Sequence, residues 1–134
     1  MLDNESSTIV KTKMKALCVK QPYASWIADG KKTIETRTWR TNFRDKFLVV
    51  ASRDLDRVRK LELDPTEYPI GMALATARIV DCRPMTKEDE QAACCKLYPR
   101  AWAWLLADIS KIKLFSVKGR LNFFQVRYTS EDRT

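Results

Sequence analysis

The 134-residue chain contains no histidine. That absence excludes Ser-His-Asp and Cys-His catalysis, imidazole general-base chemistry and most zinc sites. Any catalysis must use lysine, carboxylate, tyrosine, serine or threonine. Long apolar runs are missing too: nothing approaches the roughly 20 residues that span a bilayer, so no membrane partner is expected. The opening MLDNESSTIVKTK is polar and acidic at its start, which fits neither a signal nor a transit peptide. Cys18, Cys82, Cys94 and Cys95 show neither a C-x-x-C pair nor zinc spacing, so neither metal nor cofactor is expected. Free cysteines of this kind favour a reducing, cytoplasmic location. Cys94-Cys95 reads as part of an ordinary helix surface. There is no internal repeat, linker or low-complexity tract.

Hydrophobic residues at 45% and charged residues at 31% are ordinary for a soluble domain. The length suits one domain over residues 13–129, between a flexible leader at 1–12 and a flexible tail at 130–134. The formal charge is +8 and the pI near 9.5. A field of that sign attracts polyanions, although solubility accounts for it equally well. Lys31, Lys32, Arg37 and Arg40 are interleaved with Tyr23, Trp26, Trp39 and Phe43. Aromatic faces beside cations suit stacked bases and phosphates. Core packing explains Trp26 just as well.

Residues 15–19 read as a short buried strand, broken by Gln21-Pro22, where proline presets helical φ. Tyr23, Trp26 and Ile27 fall at helical spacing until Asp29-Gly30 stops the helix. Residues 33–38 alternate as a strand, 39–45 form a loop, and KFLVVA at 46–51 is a buried strand. A charged helix is expected over 52–61, capped by Ser52 or Asp54, with Leu55, Val58 and Leu61 inward. A long strand at 71–82, bent near its alanines, precedes a helix start at Thr86. Residues 101–106, 113–117 and 121–128 are further strand candidates. About six strands with two or three short helices predict a small mixed α+β barrel.

The stretch DGKKTIETRTW, residues 29–39, concentrates opposed charge between two apolar segments. On a strand, Glu35 and Arg37 share one face, and Lys32 enters it from the preceding turn. Spacing alone leaves two meanings open: a solvated ion pair worth about 0–1 kcal/mol, or the lip of a site.

Met14 through Ile27, followed by Gly30-x-Lys32-x-x-Glu35-x-Arg37, resembles the ASCH domain and its G-x-K-x-x-E-x-R signature. The similarity runs through Trp39, Phe43-Arg44, Ala51-Ser52, Gly71 to Cys82, the Trp104 region and Val117-Lys118-Gly119, covering roughly residues 14–128. It implies a PUA-like β-barrel whose signature residues line a cleft between barrel and helix. It further implies binding of RNA, nucleotides or nucleosides. One branch contains an amidohydrolase acting on N4-acylated cytidines, and another is linked to ribonuclease activity. Carried over by position, Gly30 makes the turn while Lys32, Glu35 and Arg37 line the cleft. The chain departs from that pattern at several places. Glu35 stands where the amidohydrolase branch has threonine, Asp45 and Asn122 where relatives often have glycine, and Val50 where they often have histidine. The glycine pair of the central strand is reduced to Gly71 with Ala75. Asn122 tolerates the left-handed conformation that glycine would adopt.

Two functions follow. In the first, a binding module holds RNA or a nucleotide with Tyr23, Gly30, Lys32, Glu35, Arg37, Trp39 and Ser52, and Tyr23 and Trp39 are the stacking platforms. In the second, a hydrolase on modified nucleosides or a metal-independent ribonuclease uses Lys32 and Glu35 as its catalytic pair. The sequence names no protein partner.

Overall fold

The computed structural model describes residues 11–129. Six strands carry the fold: β1 (Lys11–Val19), β2 (Ile34–Arg37), β3 (Lys46–Ala51), β4 (Met72–Pro84), β5 (Trp102–Ser116) and β6 (Phe124–Thr129). Three short helices, α1 (Tyr23–Ala28), α2 (Asp56–Lys60) and α3 (Glu90–Ala93), lie between them. Strand β1 begins at Lys11, inside the stretch expected as a leader; the remainder of that stretch and the 130–134 tail lie outside the described residues.

The strands form one mixed sheet in the order β2-β5-β4-β3-β1-β6. β1 and β3 run parallel, and the other neighbours pair antiparallel. Strand β3 is central and buried on both faces, which is why KFLVVA is continuously apolar after Lys46. Leu17, Val19, Phe47 and Val49 join Ala24 and Ile27 of α1 in one core cluster. Ala16, Leu48, Val50 and Ile112 belong to a second, and Ile34, Met85, Ala93, Ala101 and Ala103 form a third beside β2 and α3.

The pairing leaves β2 and β6 as edges, so the sheet is open where a barrel was expected. Side chains, not a ladder, draw its ends together. Arg37 at the end of β2 donates from Nη2 to the Cys18 carbonyl of β1 at 2.7 Å. Phe123, just before β6, stacks on Trp104 of β5 at 5.8 Å.

Residues 101–106 and 113–117, expected as two strands, are parts of the single strand β5. A left-handed residue, Asp108 with φ 53°, and several register shifts against β4 absorb the polar interruption between them. One shift lies between Ala73 and Ala75, where a bend was expected. Strand β6 starts only at Phe124, because Asn122 takes a left-handed φ of 59°.

Helix α2 is shorter than its 52–61 pattern. Ser52 Oγ accepts from the Asp54 amide, and Asp54 accepts in turn from the Asp56 amide, so side chains satisfy the backbone before the helix begins. That bond from Asp56 is the main reason the Asp54 carboxyl sits below its ordinary range. Val58 is buried, but Leu61 falls beyond the helix and is 44% exposed.

Candidate functional site

Helix α1 is fixed by a side chain that is itself fully buried. Gln21 Nε2 donates to Ser25 Oγ at 2.9 Å and to the Pro69 carbonyl at 2.7 Å. Its Oε1 accepts from the Ser25 amide. The helix stops at Gly30, whose φ of +80° suits glycine. The amides of Lys31 and Lys32 both reach back to the Trp26 carbonyl, and this turn delivers Lys32 inward. The Thr33 amide then bonds to the Ala92 carbonyl of α3 at 2.9 Å, seating β2 beside that helix.

Lys32 is only 2% exposed and Glu35 6%. Lys32 Nζ donates to the Ala93 carbonyl and stands 3.6 Å from Glu35 Oε1. Arg37 takes the other carboxylate oxygen, with both Nε and Nη2 at 2.8 Å from Oε2. One carboxylate thus holds an ammonium and a guanidinium, one on each oxygen. Lys32 Nζ also lies 5.1 Å from the centre of the Tyr23 ring.

These groups line a cleft of about 990 Å³. Tyr23, Lys32, Glu35, Arg37 and Ser52, all expected from the sequence, are on its walls. Gly30 shapes the turn without lining it. Trp39 is not on the cleft either. Strand β2 ends at Arg37, so the two-residue alternation lapses, and the Trp39 ring turns edge-on to Trp104 at 5.7 Å. Its outer face receives the Arg37 guanidinium at 5.5 Å.

Sequence reasoning missed much of the opposite wall. Lys20, Arg57, Lys96 and Arg120 add four cations, so six basic side chains face a single carboxylate, Glu35. Among the described residues, Arg57, Lys96 and Arg120 have no ion-pair partner, whereas Lys20 pairs with Asp54 at 3.6 Å. Their scatter along the chain leaves no local pattern to find. Cys94 and Cys95, expected on a helix surface, follow α3 and line the cleft because Cys94 is its left-handed cap. Tyr98 joins them. Burial pushes its phenol up, partly opposed by a hydrogen bond with Thr36. Burial likewise raises the Tyr23 phenol, against the pull of Arg57. It also raises the Cys18 thiol, which the Arg120 amide and the Arg37 charge offset in part. Among the described residues no cluster of cysteine, aspartate and glutamate is placed to hold a metal ion. No described helix is long and apolar enough to cross a membrane.

An open mixed sheet with a cationic slot at the end of its first helix defines a small α+β domain. The ASCH domain family model matches residues 17–116, and the chain belongs to that family. Among solved structures it is similar to ASCH from Zymomonas mobilis, at 14% identity and TM-score 0.58, covering 88% of this chain and 89% of that one. A tyrosine-to-phenylalanine variant of that protein matches at 14% identity and TM-score 0.56, over 88% and 91% of the two chains. A serine-to-alanine variant matches at 15% identity and TM-score 0.54, over 88% and 89%. At such identity the likeness shows the fold. No curated protein matches the sequence.

Proposed function

We propose that the cleft binds RNA or a nucleotide, in a module spanning residues 13–129 that works in the cytoplasm. The observation that carries this reading is the charge of the lining: six basic side chains around one buried carboxylate. Arg37, held rigid by Glu35 and the Cys18 carbonyl, presents a guanidinium to a phosphate or a base edge. Glu35 fixes both cations, one through each carboxylate oxygen. Tyr23, with Trp26 edge-on at 5.7 Å, offers an aromatic face for a base. Membership of a family generally associated with RNA supports the same ligand class.

A hydrolytic use of Lys32 and Glu35 fits the geometry less well. General-base work needs a group at liberty to take a proton. Lys32 is committed as a donor to Ala93 and ion-paired with Glu35 at 3.6 Å, and Glu35 is committed as an acceptor to Arg37.

The test is an anisotropy titration of labelled single-stranded RNA at several salt concentrations. Wild-type affinity should fall with salt at a slope of about −0.7 per phosphate contacted. Arg37→Ala, and separately a Lys32→Met variant shown to be folded, should each weaken binding about tenfold or more. A flat salt dependence with unchanged variant affinities would overturn the proposal, and product formed from the RNA would replace it with the enzymatic one.

A further inference from the structure

A second concavity, of about 690 Å³, adjoins the first. Cys18 and Ser52 line both, so they form a saddle between them. Its remaining walls come from strand ends: Ala51 closing β3 and Arg53 after it, Gly71 before β4, and Ser116 to Gly119 leaving β5.

Its chemistry is one-sided. Arg53 and Lys118 are its charged residues, and no carboxylate lines it. Both are exposed. Neither has an ion-pair partner among the described residues. Ser52 and Ser116 add hydroxyls.

The chain has three glycines, and two of them line this hollow. At Gly71, where φ is +63°, an added Cβ would sit 2.9 Å from Cζ and Nη2 of Arg53. Glycine therefore lets the guanidinium lie against the backbone. At Gly119 a Cβ would come within 2.6 Å of Cys18 Sγ, so glycine there lets the last turn approach the saddle.

The cations continue from one hollow to the next. Lys118 lines the second and Arg120, two residues on, lines the first. A chain of phosphates crossing the saddle passes from Arg37 and Arg120 to Arg53 and Lys118 without meeting a lining carboxylate after Glu35.

We infer that this second concavity is a phosphate subsite, so that the ligand of the cleft is an oligonucleotide rather than a free nucleoside. The inference rests on the nucleic-acid reading of the main cleft and adds the class of ligand to it. A base and sugar fill the main cleft, and the next phosphate of the strand crosses the saddle to Arg53, whose forked donors fit phosphate oxygens. Lys118 and the two hydroxyls complete the contact. A nucleoside has nothing to place there.

Calorimetric titrations of uridine, uridine 5′-monophosphate and a short oligouridylate test this with wild type, Arg53→Gln/Lys118→Gln and Arg37→Ala. Both substituted cations of the double variant are exposed, so its melting temperature should match wild type. The oligouridylate should bind wild type at least about tenfold tighter than uridine. The double variant should lose about tenfold on the oligouridylate, leave uridine unchanged, and reduce the salt slope by about 1.4, two phosphate contacts at 0.7 each. If Arg37→Ala weakens the oligouridylate while the double variant matches wild type, the subsite is wrong and the main cleft stands. If wild type binds uridine 5′-monophosphate but not the oligouridylate, the subsite falls alone; if it binds neither, both readings fall.

Discussion

Burying a carboxylate beside an ammonium and a guanidinium strips hydration from three ions, and attraction offsets that cost only when each charge keeps a close partner. Glu35 meets the condition for both cations, through Oε1 to Lys32 and Oε2 to Arg37. Removing it leaves the Lys32 ammonium 2% exposed with the Ala93 carbonyl as its remaining hydrogen-bond acceptor. Glu35→Ala should therefore destabilise the fold by about 3–5 kcal/mol, the range for breaking a buried pair from one side. Urea denaturation measures it; a loss under about 1 kcal/mol would mean the trio behaves as an exposed pair. That these three side chains converge was legible in the two-residue period of the strand and the glycine stop before it. Their burial was not, because it comes from α3, whose Ala93 lies 61 positions from Lys32. Trp39, expected as a stacking platform, lies off the cleft because its ring packs edge-on to Trp104, a contact 65 positions away that the local sequence does not announce.

Helix α3 is a single turn, too short to persist without tertiary support, and yet it supplies the carbonyls that seat Lys32 and Thr33. Asp89 anchors it. Arg83 grips that carboxylate with Nη1 at 2.7 Å and Nη2 at 2.9 Å, while the Thr86 amide donates to it at 2.8 Å. The Arg83 hydrogen bonds, more than any other cause, hold the Asp89 carboxyl well below the usual carboxylate range. A group whose folded pKa is depressed stabilises above its unfolded value, about 3.9 for aspartate, and loses that contribution as the pH falls toward the folded one. Asp89→Asn should thus melt below wild type at neutral pH, with the gap closing as the pH drops from about 4 toward 2. Thermal melts across that range decide it; a gap that stays constant with pH would show that the charge of Asp89 is not what anchors the turn. The sequence signalled this element through Thr86 and the acids after it. It gave no sign of Arg83, since the partner sits on β4 and its approach depends on how the strand ends. Strand β5 was obscured differently: its polar middle looks like a turn because bulges and a left-handed Asp108 let charged residues stay within a continuous strand.

At the scale of the whole molecule, the sheet order and the placement of charge belong together. The strand content and the apolar faces of β3 and β4 followed from periodicity, whereas the order β2-β5-β4-β3-β1-β6 depends on long-range pairing that periodicity does not encode. Because the sheet curls until Arg37 reaches the Cys18 carbonyl of β1, cations from segments around residues 20, 57, 96 and 120 gather on one cleft. Six basic side chains are therefore gathered beside one carboxylate, which strengthens the attraction of the cleft for a polyanion. The most direct measurement is an NMR titration of isotope-labelled protein with a short single-stranded RNA, following backbone amides and arginine side chains. The account predicts that the largest shifts fall on Glu35, Arg37, Tyr98 and Arg120. Shifts that spare those four residues while others move, or no shifts at all, would contradict it.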